Sequence, residues 1–427
     1  MTPLRVALAG LGTVGGGVIR LLDANGALIA RRAGRPIEIV AVSARDRAKD
    51  RGVDITRFAW VDDTTRLAEA EADVVVELVG GSDGPALALA RATLGQGKSL
   101  VTANKAMLAH HGLALARAAE ANGVALKFEA AVAGGVPVIK GLREGAAANA
   151  IERVYGILNG TCNFILSTME SEGRDFDEVL AEAQARGFAE ADPSFDIDGI
   201  DAAHKLAILA SLAFGTAPAF AAVETQGIRA LRAADIAEAA ALGYRVRLLG
   251  ITEAGSEGLF QRVHPHLVPL AHPLAHVSGA TNAVVAEGDF VGRLLFQGAG
   301  AGDGPTASAV VADLIDIARG AYGPPFAMPA DQLAAPAPAD SGARQGRAYI
   351  RFIVRDRVGV LAEIAAAMRD AGVSIESLIQ RGRAGSGGVL VAIVTHQGPE
   401  RAVAQALERL RGSASLIEAP LWLHLLG

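Results

Sequence analysis

The chain has 427 residues, 51% of them hydrophobic, and a formal net charge of −6. That length predicts two to four domains, and the even spread of Lys and Arg argues against a nucleic-acid surface. One cysteine, Cys162, excludes an intramolecular disulfide and fits a reducing cytoplasm, and no apolar run reaches the roughly 18 uncharged residues of a membrane span.

Residues 4–9 read as a short buried strand rather than a secretion signal, because the apolar run is brief and stops at Gly10. A helical pattern follows from about Val14 to Ala24. Further strands are expected at 37–43, 73–79 and 99–102, with Ala-rich helices between them. Alternating strand and helix predicts a parallel sheet covered on both faces. From about Gly135 the pattern becomes mixed. Strand-like runs at 151–158 and 244–295 enclose helices near 174–186 and 200–214, and a helix near 306–319 follows a glycine-rich loop. The Pro, Ala and Gly content of 326–346 reads as a linker. Beyond it the order is strand 348–354, helix 359–370, strands 373–380 and 388–395, helix 399–411 and strand 415–425, a ferredoxin-like βαββαβ unit. The fold class is therefore α/β. The expected domains are a Rossmann-type unit at 1–135 completed by about 300–325, a mixed α+β unit at 136–300, and a C-terminal unit at 347–427.

Gly10-Leu11-Gly12-Thr13-Val14-Gly15 is G-x-G-x-x-G between a strand and a helix. The first glycine permits the turn, the second admits a pyrophosphate, and the third lets helix pack on strand, with the phosphates on the helix N-terminus. The second strand ends in Ser43 rather than an acid, with Arg45 close behind. A guanidinium there suits a 2′-phosphate and favours NADP, while the nearby Asp46 leaves NAD open.

The stretch 183–205 is dense in acids and ends in Lys205. Its Ser194-x-Asp196-x-Asp198-Gly199 partly resembles a calcium loop, but the twelfth position is Lys205, which excludes it. Asp201 and Lys205 are four residues apart at the start of an apolar helix and share one face. A lysine held protonated by carboxylates can exchange a proton with a carbonyl oxygen, and the other acids suit a substrate ammonium. The same spacing would also serve an exposed acidic loop with a helix-face ion pair. Lys105 stands at a strand-to-helix junction after Thr102, where ligands of open α/β sheets bind. A cation is otherwise poorly placed at a helix N-terminus.

At these residues the chain resembles the homoserine dehydrogenase family. Residues 183–205, Thr102-Ala103-Asn104-Lys105, Gly156–Asn163 and the glycine-rich 298–309 carry the likeness, which covers about 4–325. The resemblance implies NAD(P)-dependent interconversion of L-homoserine and L-aspartate 4-semialdehyde in threonine, methionine and isoleucine biosynthesis. It implies Lys205 as acid/base, with Lys105 assisting it and contacting cofactor. It implies Glu190 on the substrate ammonium, and Asp196 and Asp201, with Thr161, completing the substrate site. Gly302 joins Gly10, Gly12, Thr13, Val14, Gly15 and Arg45 as a cofactor residue. Residues 128–137 resemble the family's cation site, with the Glu129 side chain and the carbonyls of Val132, Gly134 and Val136 as ligands. Oxygen-only ligation suits sodium.

The C-terminal unit resembles ACT domains, with Asp356-Arg357-Val358-Gly359-Val360-Leu361 opening its first helix. By that likeness the expected effector is L-threonine, bound between paired copies, and the expected assembly is a homodimer or homotetramer, with neither nucleic acid nor membrane as partner. Other readings fit these residues less well. A regulatory amino-acid-binding protein with a lapsed site would not need both Lys105 and Lys205. Another semialdehyde or hydroxy-acid dehydrogenase would share the general chemistry. Cys162 as nucleophile conflicts with its place inside the Asn159-Gly160-Thr161 motif, which favours packing. His264, His266, His272 and His276 lie in a proline-interrupted run and read as structural rather than zinc-binding.

Overall fold

The computed structural model describes residues 2–383 and 388–427. The N-terminal apolar runs form a six-stranded sheet in the order Ala59–Trp60, Ile37–Ser43, Leu4–Ala9, Val74–Glu77, Ser99–Thr102, Leu126–Lys127. All its neighbours are parallel. Val74–Glu77 and Ser99–Thr102 are buried along their whole length, as expected of strands covered on both faces. The order reverses beside Leu4–Ala9, and such a reversal opens a crevice at the carboxyl ends of the strands.

The first helix, Thr13–Ala33, runs nine residues past the expected end. Asn25-Gly26 signals a turn, yet Ile29 and Ala33 are buried beyond it, and the helix stops at Gly34 with φ 78°. The helix Asp303–Ala318 returns from the far end of the central unit to pack on it. Val310, Leu314 and Ile317 share one core with Val18 and Ile19. The approach demands glycine, because a Cβ on Gly17 would lie 1.9 Å from Asp303 Oδ1.

A second sheet runs Gly292–Ala299, Thr281–Gly288, Ile151–Ile157, Tyr244–Gly255, Gly258–Pro269, Leu421–Leu425, Ala348–Val354, Val389–Thr395, Ile375–Arg383. It crosses from the central unit into the C-terminal one without a break. The crossing is a short parallel pairing of His266 with His424 and Leu267 with Leu425. The C-terminal strands keep ferredoxin-like order, with helices Val360–Asp370 and Glu400–Arg409 packed on one face. The other face joins the central core, where Tyr349, Leu421 and Leu423 cluster with Ile236, Ala239 and Leu267.

Two helices, Gly160–Glu172 and Ala233–Ala241, were not expected from periodicity. The first begins inside a motif that reads as a turn, because Asn159 Oδ1 caps it by accepting from Cys162 N at 2.8 Å. The stretch 326–346 was expected as a linker, and it is held along much of its length. Phe326 is fully buried, its ring 5.1 Å from that of Phe128. Ala330 N donates to the Glu120 carboxylate at 2.9 Å, and Leu259 N donates to Ala337 O at 2.8 Å. Its prolines remove amide donors and prevent a regular ladder, but its apolar side chains still find pockets. Among the described residues no helix is long and apolar enough to cross a membrane.

Candidate active site

The glycine loop follows Leu4–Ala9 directly. Gly10 has φ 94°, and a Cβ there would lie 2.6 Å from Leu78 O, so only glycine makes this turn. A Cβ on Gly15 would lie 2.0 Å from Gly10 O, whereas at Gly12 it would meet nothing within 4 Å. The cradle is therefore packed behind and open in front. The helix it opens has no acid in its first turn and no side-chain cap, so its first amides are available to an anion. Thr13 is exposed and Val14 half-buried at this turn. Gly302, with φ 117°, precedes the helix whose Asp303 packs on Gly17 and pairs with Arg20, which places it beside the same helix. These residues fit a dinucleotide.

Lys105 begins the helix Lys105–Ala121, fixed by Asn104, whose Oδ1 accepts from Met107 N at 3.1 Å. Its Nζ lies 3.3 Å from Oδ1 of Asp201, in the first turn of Ile200–Phe214. The other oxygen of the same carboxylate, Oδ2, accepts from Lys205 Nζ at 2.7 Å. One aspartate thus joins two lysines that are 100 residues apart in sequence. Burial alone would raise the Asp201 pKa, but Lys205, Lys105 and the Asn159 amide hold it down to about 2. Lys205 Nζ also donates to Leu158 O at 2.8 Å. Two of its three N–H groups are thereby spent, and the third has no hydrogen-bond partner among the described residues. Asn159 Nδ2 donates to Asp201 Oδ2 at 2.8 Å and to Asp196 Oδ1 at 2.7 Å. Thr161 Oγ1 reaches Asp196 Oδ2 at 3.2 Å and Phe188 O at 2.8 Å. Burial, then the neighbouring Asp201, raises the Asp196 pKa. The Lys105 side chain is 32% exposed and that of Lys205 11%, so Lys105 faces the opening and Lys205 sits behind it. The exposed ring of Phe195 lies 5.6 Å from Lys105 Nζ and stacks on His204.

Comparison with known proteins accounts for nearly the whole chain. Family models match as "Homoserine dehydrogenase, NAD binding domain" over 10–129, "Homoserine dehydrogenase" over 137–315 and "ACT domain" over 348–412. A homoserine dehydrogenase of Pseudomonas aeruginosa is 45% identical over 417 residues, covering 96% of both chains. The chain belongs to the homoserine dehydrogenase family. A Neisseria gonorrhoeae homoserine dehydrogenase is 44% identical, with 99% of this chain and 98% of that one covered. The crystal structure of a Thiobacillus denitrificans homoserine dehydrogenase superposes with a TM-score of 0.94 at 43% identity, covering 100% of this chain and 99% of that one. A hyperthermophilic archaeal homoserine dehydrogenase solved in complex with NADPH superposes at 0.65 with 27% identity, covering 76% of this chain and all of that one. The activity is that of a homoserine dehydrogenase, an oxidoreductase of amino-acid biosynthesis that interconverts L-homoserine and L-aspartate 4-semialdehyde with a nicotinamide cofactor.

Around this site the acid-rich stretch divides. Asp201 turns in to the lysines, and Asp196 turns in to Asn159 and Thr161. Asp198 turns out and pairs with Arg229 at 2.6 Å, and Asp192 caps Ser194 N at 3.1 Å. Glu190 is exposed, on a loop held where Gln184 Nε2 donates to Glu190 O at 3.0 Å. Arg45 is exposed beyond Ser43, whose hydroxyl pairs with that of Thr64 at 2.8 Å. Cys162 is fully buried. Burial pushes its thiol well above the ordinary range, and Sγ donates to Asp196 O at 3.3 Å, so it serves as packing and not as a nucleophile. Three of the four histidines have hydrogen-bond partners in the local backbone. His272 Nδ1 accepts from Leu274 N at 3.2 Å, His276 Nε2 bonds Leu270 O, and His264 and His266 lie inside a strand.

The cation loop has features that fit an ion. Glu129 is buried, and its two oxygens accept from Ile139 N and Lys140 N at 3.0 and 2.9 Å. Burial, then Asp313, raises its pKa to about 7. Ala133 and Gly134 both have positive φ, 55° and 52°, a rare backbone for alanine, and within this loop Ala133 O accepts from Val136 N at 2.9 Å and Val136 O from Val138 N at 2.8 Å.

Two site residues escaped sequence reasoning. Asn159, which joins the two aspartates, sat unassigned in a motif already noticed. Glu77 ends a buried strand, accepts from Val79 N at 2.7 Å and Thr102 Oγ1 at 2.6 Å, and ties the neighbouring strand ends together beside Lys105. The signal for it was an acid inside an apolar run that reads as a strand buried on both faces.

Proposed function

We propose that Lys205 is the acid/base of the dehydrogenase reaction. It donates a proton to the carbonyl oxygen of L-aspartate 4-semialdehyde as hydride reaches the carbon, and recovers it when L-homoserine is oxidised. The nicotinamide cofactor, when bound, supplies or accepts that hydride. The sharing of one Asp201 carboxylate by Lys205 and Lys105 carries this reading, since it brings both amino groups to one place. Lys105 assists and contacts cofactor. Glu190 takes the substrate ammonium, with Asp196, Asp201 and Thr161 completing the substrate site. Gly10, Gly12, Thr13, Val14, Gly15 and Gly302 hold the dinucleotide, and Arg45 favours NADP. The Glu129 carboxylate and the carbonyls of Val132, Gly134 and Val136 hold a sodium ion of structural role.

The domain boundaries proposed are 1–135, completed by about 300–325, then 136–300, the connecting strap 326–346, and 347–427. L-Threonine acting at paired ACT units of a cytoplasmic homodimer or homotetramer is the proposed regulation.

The test follows NADPH absorbance on adding L-aspartate 4-semialdehyde to wild type and to Lys205→Ala. Loss of about 10²–10⁴-fold in kcat with unchanged circular dichroism is expected; a rate within a few-fold of wild type removes Lys205 from the chemistry. Arg45→Ala should raise the KM for NADPH about fivefold, roughly 1 kcal/mol, and leave that for NADH unchanged. Equal effects would end the NADP preference.

A further inference from the structure

Lys105 and Lys205 share Asp201 but are held unequally. Lys205 Nζ donates to Asp201 Oδ2 and to Leu158 O, at 2.7 and 2.8 Å, so two bonds fix its direction. Lys105 Nζ stands 3.3 Å from Asp201 Oδ1, with no second hydrogen-bond acceptor among the described residues, and its side chain is the more exposed of the two. A lysine carries its charge on a long flexible stem, so one ion pair at that distance leaves the amino group free to swing toward solvent. A second contact opposes the swing. Lys105 Nζ lies over the ring of Phe195, 5.6 Å from its centroid. An ammonium within about 6 Å of an aromatic centroid is drawn to the negative face of the ring.

Phe195 is itself held in place for this contact. It lies in the short helix Ser194–Ile197, and its ring is the outer member of a column. That ring stacks on His204 at 5.6 Å and 28°, and His204 lies nearly flat on Phe220 at 4.2 Å and 12°. His110 closes the column from the side. It meets His204 and Phe220 edge-on at 5.3 and 4.9 Å, with its Nε2 3.3 Å from that of His204. His110 stands on the helix that Lys105 begins, and His204 on the helix of Asp201 and Lys205. The column therefore sits where the two lysine-bearing helices meet. Burial, then His110 and Lys105, hold the His204 pKa down to about 4. The imidazole behind the Phe195 ring is thus uncharged at neutral pH, whereas an imidazolium there would repel a cation on the ring.

The exposure of Phe195 points the same way. A phenylalanine that only filled core would be covered, yet Phe195 is 44% exposed at the mouth of the site. Asp196, next in sequence, accepts from Asn159 and Thr161. One short helix thereby sets an acid toward the substrate site and a ring against Lys105.

We propose that Phe195 is a positioning residue of the dehydrogenase: its ring, backed by His204 and Phe220, holds the Lys105 amino group beside Asp201 and at the reacting centre. This rests on the assisting role proposed for Lys105.

The test is a double-mutant cycle on the full chain, following NADPH-dependent reduction of L-aspartate 4-semialdehyde. It compares wild type, Phe195→Leu, Lys105→Ala and the two combined, with Phe195→Tyr and Phe195→Met beside them. Phe195→Leu keeps an apolar side chain and removes the ring. It should lower kcat about threefold to tenfold and leave the KM for the semialdehyde within about twofold, since the substrate ammonium is assigned to Glu190. Phe195→Met, also ringless, should behave as Phe195→Leu, and Phe195→Tyr, which restores a ring, should recover most of the loss. In the Lys105→Ala background, Phe195→Leu should cost less than about twofold further, because the group it positions is gone. Equal losses in both backgrounds overturn the proposal, since the ring would then serve the Asp196 turn and not Lys105. So does a wild-type kcat in Phe195→Leu, or a Phe195→Tyr as slow as Phe195→Leu. Lys105→Ala at the wild-type rate would instead remove Lys105 from the reaction, and this proposal with it. Unchanged circular dichroism separates each of these losses from misfolding.

Discussion

Asp201 and Glu129 are both carboxylates with almost no solvent exposure, 3% and 2%, yet their chemistry is opposite. Asp201 has an ammonium on each oxygen and is held at about 2. Glu129 has only backbone amides on its oxygens and Asp313 beside it, and is pushed up to about 7. Asp313 is itself raised to about 6 by burial, against the pull of Lys140. Burying an anion is costly unless a cation accompanies it. At Asp201 the chain supplies the cations itself, Lys105 and Lys205, and those are the groups proposed to move the proton. At Glu129 it supplies too few, and a bound sodium would complete the set.

Removing the charge at the first site should give the largest effect. Asp201→Asn leaves two ammonium groups without their shared counter-ion. Loss of about 10²–10³-fold in kcat/KM is expected, with a stability loss of about 3–5 kcal/mol in urea. Wild-type turnover would mean that the aspartate merely fills space.

The second site should respond to pH with the opposite sign. Glu129 rises from an ordinary 4.5 to about 7, so its contribution to stability is full below about 4.5 and lost as pH rises through about 7. The loss is about 3 kcal/mol at most, from 1.36 kcal/mol per pKa unit. Asp201 falls from 3.8 to about 2, so its contribution is present above 3.8 and lost as pH falls through about 2. In sodium-free buffer, Tm should therefore fall between about pH 5 and pH 8. Added sodium should flatten that slope, and Glu129→Gln should make it shallower and indifferent to sodium. A slope that sodium does not change would remove the ion from Glu129.

Asn159→Ala should give the smallest effect, about tenfold in kcat/KM, because Asp201 keeps both lysines while losing one neutral donor. A loss as large as that of Asp201→Asn would show that Asn159, rather than charge, orders the site.

Much of this was legible in the chain. The Gly10-x-Gly12-x-x-Gly15 turn, the Asp201–Lys205 spacing and the C-terminal βαββαβ order are local patterns set by sterics and helix periodicity. The pairing of Lys105 with Asp201 was not legible, since it requires two units to meet and no local rule relates residues 96 positions apart. Nor was the division of the acid-rich stretch, in which Asp196 and Asp201 point in while Asp192 and Asp198 point out. Its side-chain directions depend on the short helix Ser194–Ile197 and on Gly199 at φ 87°. The held strap at 326–346 was hidden for a related reason: its composition is that of a spacer, and only the pocket beside Phe128 gives Phe326 a place to go.

By itself, then, the sequence determined the alternating strands and helices of the first unit, the glycine turn that opens its first helix and the βαββαβ order of the last unit, because backbone sterics and side-chain periodicity act over a few residues. Tertiary structure alone decided which charges share a carboxylate, which acid is left short of cations, and that one sheet runs unbroken from the central unit into the ACT unit. Those outcomes depend on burial and on Coulomb interactions between distant segments, and both come into being only when the chain has closed on itself.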